Sequence, residues 1–248
     1  MKRRDFLATA AGAGVVLAAS SIPLALSRGE KPTGNSPLIE NSAESNKLTP
    51  PSKGRIGVAF AISEGVTVID FAGPWEVFQD VMLGGSGNDM QMPFQLFTVS
   101  EKTEPITGSG GLKLIPDYTF ETAPQPNVVV VPAQRGSAAL HEWLRKVSRA
   151  TDVTMSVCTG AFQLAAAGLL SGKAATTHHD YQDNLAKRYP NIEVKRGVRF
   201  VEGDRISSAG GLTSGIDLAL RVVERYYGRQ VAQTTADYME YQSKGWIV

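Results

Sequence analysis

VTMSVCTGA, at residues 153–161, joins an apolar run directly to a group of small residues. The run at 153–157 predicts a buried strand, and the small residues after it predict the start of a helix. A sharp turn between a strand and a helix places its turn residue at the carboxyl end of the strand, with the side chain clear of the sheet. The residue at this turn is Cys158, the only cysteine in 248 residues.

Cys158 is therefore a candidate nucleophile. The dipole of the following helix favours a thiolate at its N-terminus, so we expect a thiol pKa that is lowered toward neutrality. The alternative is a structural cysteine, because free cysteines are among the residues most often buried. The position at a strand-to-helix turn favours the nucleophile over the structural role.

Apolar runs and segments of helical periodicity alternate on both sides of this turn. Strands are predicted at 55–61, 93–100, 127–131 and 153–157, with a short extended piece at 112–115 and a hairpin at 198–207. Helices are predicted from Gly73-Pro74, with Pro74 in the first helical position, and at 137–150, 159–170, 181–189, 213–227 and 229–241. This order predicts a doubly wound α/β domain with a mostly parallel sheet flanked by helices, and a ligand site beyond the carboxyl ends of the strands.

The charge balance and the composition exclude several kinds of partner and site. Lys and Arg total 25 and Asp and Glu total 24, a balance that gives no indication of a nucleic-acid partner. One cysteine excludes an internal disulfide and a cysteine-rich metal centre. His178 and His179 would point to opposite sides of an extended segment, so we expect no metal site there.

The N-terminal segment predicts export. KRRDFL at residues 2–7 precedes a weakly apolar stretch at 8–26, a pattern that resembles a twin-arginine export signal. ALS at residues 25–27 is a candidate cleavage site, so we expect residues 1–27 to be a signal peptide and the mature protein to be periplasmic or secreted. The alternative is a short uncleaved anchor, but glycines and a proline in the stretch favour a removable signal, with no stable membrane span afterwards.

The rest of the chain divides into a linker and one domain. Residues 28–54 are rich in Pro, Ser, Asn, Glu and Lys and contain few large apolar side chains, which predicts a disordered linker. Residues 55–248 then form the α/β domain.

Four segments of that domain together resemble the ThiJ/PfpI superfamily, whose members adopt a flavodoxin-like, class I glutamine amidotransferase-like fold. They are GVTVIDFAGPWEVF (65–78), SGGLKLIPDYTF (109–120), SVCTGAFQLAAAGLLSGKAATTHH (156–179) and AGGLTSGIDLAL (209–220), and the match covers about 55–242. The motifs look most like those of isonitrile hydratases and of the sensory domains of AraC-type regulators. Because such regulators carry a C-terminal helix-turn-helix pair, for which we expect no room after the last predicted helix, we expect an enzyme.

The resemblance implies roles for three catalytic positions. Cys158 matches the family nucleophile, and Thr159 matches the position whose backbone N–H and hydroxyl line the site. Asp70 matches the acidic residue that faces the cysteine in the hydratases, where a carboxyl can act as general acid or base. The alternative for Asp70 is a polar residue that serves the turn before the predicted helix.

The resemblance also implies a substrate pocket around Gly160, His178 and Gly211, with His178 at the rim or in a structural role. Relatives usually carry Pro-Gly-Gly-x-Gly where this chain has PAQRG at residues 132–136. If the oxyanion donor there needs a positive φ, Ala133 or Gln134 would be strained. Relatives are often dimers, so we expect a homodimer.

These observations predict a cysteine-dependent hydratase that converts a small isonitrile to an N-formamide, with no metal or organic cofactor. One alternative is a cysteine-dependent hydrolase or glyoxalase-like enzyme that acts on small carbonyl compounds. The other is a non-catalytic periplasmic module that senses a ligand or the redox state through Cys158.

Overall fold

A seven-stranded sheet forms the centre of the domain in the computed structural model, which describes residues 46–84 and 90–248. The strand order is β10-β11-β7-β6-β1-β2-β5, and every neighbouring pair is parallel except β10 and β11. The bounds are β1 Ile56–Ala61, β2 Phe94–Ser100, β5 Tyr118–Thr119, β6 Val128–Val131, β7 Val153–Ser156, β10 Phe200–Val201 and β11 Ile206–Ala209. The predicted doubly wound, mostly parallel fold is confirmed.

Two small ribbons lie outside this sheet. Strands β3 (Ile106–Thr107) and β4 (Lys113–Leu114) pair antiparallel, and strands β8 (Ala174–Ala175) and β9 (Glu193–Val194) pair parallel. The helices are α1 Val68–Gln79, α2 Ala138–Val147, α3 Ala161–Ala166, α4 Gln182–Arg188, α5 Ser214–Tyr227 and α6 Arg229–Tyr238. Within the described ranges, no helix combines the length and the apolar character that a membrane span needs.

Helices cover both faces of the sheet, which explains the uninterrupted apolar strands. In β6, Val128 and Val130 pack into the core shared with α1, α5 and α6, whereas Val129 and Val131 pack into the core shared with α2, α3 and α4. Successive side chains of a strand point to opposite faces, so a strand covered on both sides needs apolar residues at every position. The run of four valines follows directly from that requirement.

Helix α1 begins earlier than predicted. Pro74 was expected in the first helical position, but the helix starts at Val68 and Pro74 lies inside it. The glycine before Pro74 serves packing, because a Cβ at Gly73 would lie 2.9 Å from the side chain of Ile216 in α5. This early start places Asp70 in the first turn of the helix, where the prediction had it in a preceding turn.

Two other helices differ from their predicted bounds. The helix expected at 159–170 is a short 3₁₀ turn, Cys158–Gly160, followed by α3, and Gly168 beyond it has a left-handed φ of 79°. Helix α6 ends at Tyr238, before Glu240 with its φ of 52°. Left-handed residues end a helix, and nothing in the apolar periodicity marks them.

The end of the predicted linker is attached to the domain. The backbone N–H of Leu48 donates to the Arg225 carbonyl at 2.8 Å, and the Arg225 guanidinium donates to the Asn46 carbonyl at 2.7 Å. Leu48 also packs against the core. Residues 46–48 therefore contact the domain, while the predicted signal and the linker before residue 46 lie outside the described residues.

Candidate active site

Cys158 occupies the turn between β7 and the 3₁₀ turn that leads into α3, with a left-handed φ of 57°. Such a φ is uncommon for a residue with a side chain and needs support from its surroundings. The Cys158 N–H donates to the Gly210 carbonyl at 2.8 Å, and the Thr177 hydroxyl donates to the Cys158 carbonyl at 2.8 Å. Both main-chain polar groups of the turn residue are thus bonded to other segments.

Gly160 allows the helix to start this close to the sheet. A Cβ at this position would overlap the carbonyl oxygen of Val131 at the end of β6 and would lie 2.9 Å from that of Pro132. Only glycine permits main chain to approach main chain at this distance. Gly160, predicted as a pocket residue, is buried and shapes the turn beneath the thiol.

Asp70 lies fully buried in the first turn of α1. Its Oδ2 accepts a hydrogen bond from the Ala133 N–H at 3.1 Å, and its Oδ1 has no hydrogen-bond partner of ordinary geometry among the described residues. Burial raises the pKa of the Asp70 carboxyl to about 6, while hydrogen bonds from the Ala133 N–H and the Cys158 thiol lower it. The structure therefore brings the predicted acid and the predicted nucleophile together.

The thiol has the opposite pKa shift from the one we expected. Burial, and then the negative charge of Asp70, raise the pKa of the Cys158 thiol to about 11, whereas the N–H groups of Thr159 and Leu212 lower it. The expected stabilisation came from a helix dipole, but a 3₁₀ turn of three residues supplies little of it. Loss of water and the nearby carboxylate outweigh that contribution.

The one proton of the Cys158–Asp70 pair lies on the sulfur at neutral pH. With pKa values of about 6 and about 11, Asp70 is mostly a carboxylate and Cys158 mostly a thiol. A thiol beside a carboxylate can give up its proton as the sulfur attacks an electrophile, so this arrangement is chemically able to activate the sulfur at the moment of attack.

The loop that was expected to hold an oxyanion donor supports Asp70 instead. The Ala133 N–H is bonded to the Asp70 carboxylate, and the Ala133 carbonyl accepts from the Thr67 N–H at 2.9 Å. The side chain of Gln134 is turned toward the sheet, where its amide donates to the Ala61 carbonyl at 2.7 Å. Neither Ala133 nor Gln134 has a positive φ, so the strain predicted for this departure from the family pattern does not occur.

His178 packs on Gly211 at the rim of the site. A Cβ at Gly211 would overlap the imidazole ring of His178, which explains the glycine. The rings of His178 and His179 are stacked, with centroids 4.3 Å apart, so the prediction that they point to opposite sides is wrong. The segment is not extended here, because a 3₁₀ turn, His179–Tyr181, begins directly after His178.

A group of metal-ligating type results from this turn. Ligand atoms of His178, His179 and Asp180 lie within 4.8 Å of one another. The reason for which no metal site was expected at these histidines therefore does not hold.

Leu212 is the site residue that sequence reasoning missed. It has a left-handed φ of 48°, and its N–H lies close enough to the Cys158 sulfur to favour the thiolate. Only Gly211 had been selected from this segment. A leucine carries no sequence signal for a left-handed conformation, since that conformation is uncommon for a bulky side chain.

Two open cavities are lined by residues of the site, although neither Cys158 nor Asp70 lines them. One, of about 690 Å³, is lined by Thr159 together with Phe162, Gln163 and Tyr181. The other, of about 360 Å³, is lined by Gly211 and Leu212 and includes His178 on its wall. Both volumes suit a small organic molecule.

The chain is similar to several characterised proteins. It is 34% identical over 190 residues to the isonitrile hydratase of Pseudomonas putida, a match that covers 74% of this chain and 78% of that protein. It is also 34% identical over 133 residues to the HTH-type transcriptional regulator CdhR of Pseudomonas aeruginosa, where the match covers 52% of this chain but only 39% of the regulator.

A solved structure and a family profile identify the family of the chain. A ThiJ/PfpI family protein from Pseudomonas syringae has a TM-score of 0.65 and 26% identity, and the match covers 77% of each chain. The sequence profile of the DJ-1/PfpI family matches residues 57–225, which include the Asp70–Cys158 pair and the Leu212 segment. The chain therefore belongs to the DJ-1/PfpI family.

Proposed function

We propose that this protein is an isonitrile hydratase, which adds water to a small isonitrile and releases an N-formamide. The observation that carries the proposal is the buried carboxylate of Asp70 beside the protonated thiol of Cys158, from which it can take the proton. The similarity to the isonitrile hydratase of Pseudomonas putida, which extends over 78% of that protein, supports the same chemistry.

The first step forms a carbon–sulfur bond. Asp70 takes the thiol proton as the sulfur of Cys158 attacks the terminal carbon of R–N≡C. The carbon then carries an electron pair, and Asp70 returns the proton to it, which gives a thioimidate, R–N=CH–S–Cys. The N–H groups of Thr159 and Leu212 stabilise the sulfur while it is negatively charged.

The second step adds water and releases the product. Asp70 removes a proton from water as the oxygen bonds to the thioimidate carbon, and it passes that proton to the nitrogen. The remaining hydroxyl proton moves to Asp70 as the carbonyl forms and the carbon–sulfur bond breaks. The product is R–NH–CHO, and the proton returns to the sulfur, so the enzyme is restored. A pKa of about 6 suits a group that must both accept and donate protons.

Turnover of an aryl isonitrile by the full chain tests the proposal, with the formamide followed directly by NMR. We expect formamide from the wild-type protein and none from Cys158→Ala. The proposal is wrong if a wild-type protein whose Cys158 reacts with iodoacetamide produces no formamide. In that case, small carbonyl substrates and peroxide oxidation of Cys158 separate the hydrolase or glyoxalase-like enzyme from a redox sensor.

We also propose that the protein is exported by the twin-arginine route and acts as a homodimer. The sequence KRRDFL at residues 2–7 supports the first part, and the frequent dimers among related proteins support the second. Replacing Arg3 and Arg4 with lysine should leave the protein in the cytoplasm. Light scattering on the purified protein should give twice the mass of one chain, and a monomer would contradict the second part.

A further inference from the structure

Arg199 is held by a buried acid close to the site. Its Nε donates to Oδ2 of Asp217 at 2.6 Å, and Asp217 in α5 is fully buried. The other oxygen of Asp217 accepts from the hydroxyls of Tyr241 at 3.2 Å and Ser243 at 3.1 Å. The guanidinium group therefore has a fixed position, although its side chain is 40% exposed.

The same arginine is bonded to the segment that contains Leu212, residues 210–213. Its Nη2 donates to the Thr213 hydroxyl at 3.1 Å, and its main-chain carbonyl accepts from the Gly210 N–H at 2.9 Å. Tyr241 adds a weaker contact, with its hydroxyl 3.5 Å from the Thr213 carbonyl. Side chain and main chain of one residue thus hold both ends of this segment.

The 210–213 segment is also in direct contact with the nucleophile. The Gly210 carbonyl accepts the Cys158 N–H at 2.8 Å, and Leu212 has a φ of 48°. A leucine in the left-handed region is strained and persists only where the surroundings hold it. The bonds from Arg199 to both ends of the segment supply that support.

We propose that Arg199 is a positioning residue, which holds residues 210–213 so that the Leu212 N–H points at the sulfur of Cys158. The inference uses the proposed function only in taking Cys158 as the nucleophile. Arginine suits the task because its planar group donates in several fixed directions at once, to Asp217 and Thr213, and lysine cannot do this.

The experiment is the alkylation rate of Cys158 by iodoacetamide at about pH 8, measured on the full chain. Cys158 is the only thiol in the sequence, so every labelled molecule reports this site. Arg199→Met should remove one N–H donor to the thiolate and raise the thiol pKa by about one unit, which slows alkylation about ten-fold. The matched control is Arg229→Met, because Arg229 is also 40% exposed and pairs with an acid, Glu224. We expect its rate within about two-fold of wild type, since its partners are Glu224 and the Val248 carbonyl.

The sign of the effect separates positioning from unfolding. An unfolded chain has a thiol pKa of about 8.5, so unfolding would speed alkylation, whereas loss of the donor slows it. Thr213→Val is a second variant that removes the acceptor of the arginine and leaves the buried ion pair intact. We expect it to slow alkylation by a smaller factor, and Arg199→Lys to restore little of the wild-type rate.

Wild-type rates in both Arg199→Met and Thr213→Val would overturn the proposal. The result does not depend on the substrate, because iodoacetamide reports only on the thiolate. A wild-type protein that hydrates no isonitrile, combined with slow alkylation in Arg199→Met, would refute the proposed function and support the role of Arg199. Normal isonitrile turnover with unchanged alkylation in both variants would do the reverse.

Discussion

Cys158 and Leu212 both have a left-handed backbone conformation, and the Leu212 N–H lies close to the sulfur of Cys158. The two conformations are stabilised in different ways. The φ of 57° at Cys158 is supported by main chain, since Gly160 brings the next turn against the end of β6 and the Gly210 carbonyl accepts the Cys158 N–H. The φ of 48° at Leu212 is supported by the side chains of Arg199 and Tyr241, which bond to Thr213. Close packing of main chain on main chain requires a glycine, which the sequence shows, whereas support from side chains leaves no such pattern.

The largest expected effect concerns the turn at Cys158–Gly160. In Gly160→Ala the new Cβ would overlap the Val131 carbonyl oxygen, which is itself fixed by a hydrogen bond from the Val157 N–H at 3.0 Å. Neither main-chain group can move without breaking the sheet. We expect the free energy of unfolding to fall by about 4 kcal/mol or more, measured by urea denaturation.

Gly57→Ala is the matched control for that substitution. Gly57 lies in β1 with ordinary spacing around it, since the nearest atoms to an added Cβ are 3.7 Å away. Its free energy of unfolding should change by less than about 1 kcal/mol. Equal urea midpoints for the two variants would show that the turn at Cys158 is not held by the close approach of Gly160.

The next substitution is Asp70→Asn. The negative charge of Asp70 raises the pKa of the Cys158 thiol, whereas the Leu212 N–H lowers it. Without the carboxylate, no group takes the thiol proton, so we expect the kcat of isonitrile hydration to fall about a thousand-fold. The thiol pKa should fall at the same time, because the negative charge of Asp70 contributes to raising it. Alkylation by iodoacetamide should therefore become faster while turnover is lost. Unfolding would also speed alkylation, so an unchanged urea midpoint is the control that the variant is folded. Full turnover in Asp70→Asn would contradict the role as acid and base.

The buried carboxyl also predicts how stability depends on pH. The pKa of Asp70 is raised from 3.8 to about 6 on folding, so between these values the folded protein binds more protons than the unfolded chain. Stability from this group is then present below about pH 4 and is lost as the pH rises through 6, a change of up to about 3 kcal/mol. The difference in unfolding free energy between Asp70→Asn and wild type should grow by this amount from pH 4 to pH 7. A constant difference across that range would show that the pKa is not raised.

The fold and the Asp70–Cys158 pair could be predicted because they follow from short stretches of sequence. Four valines in β6 indicate a strand covered on both faces, and the change from apolar to small residues marks the turn at Cys158. The pair itself came from the resemblance of two motifs, since residues 70 and 158 are far apart in the sequence. The structure agrees with both, and it adds the hydrogen bond from Ala133 that orients Asp70.

The errors arose where packing overrides a local signal. Proline is common in the first position of a helix, but here the helix begins at Val68 and its first turns include the buried Asp70 and Phe71. The thiol pKa was expected to fall from helix geometry alone, whereas burial of both groups determines its direction. Arg199 carries no motif, and only its contacts show that it connects α5 to the 210–213 segment.

The smallest expected effect concerns the 210–213 segment, which is supported by side chains. In Gly211→Ala the added Cβ meets the ring of His178, which is a side chain and can rotate, whereas Gly160 faces fixed main chain. We expect a loss of about 1 kcal/mol in the free energy of unfolding. The double variant Gly211→Ala with His178→Ala should recover most of this loss, because the overlapping ring is gone. If the single variant is as unstable as Gly160→Ala, or if removing His178 recovers nothing, the 210–213 segment is as rigid as the turn at Cys158 and the contrast between the two regions fails.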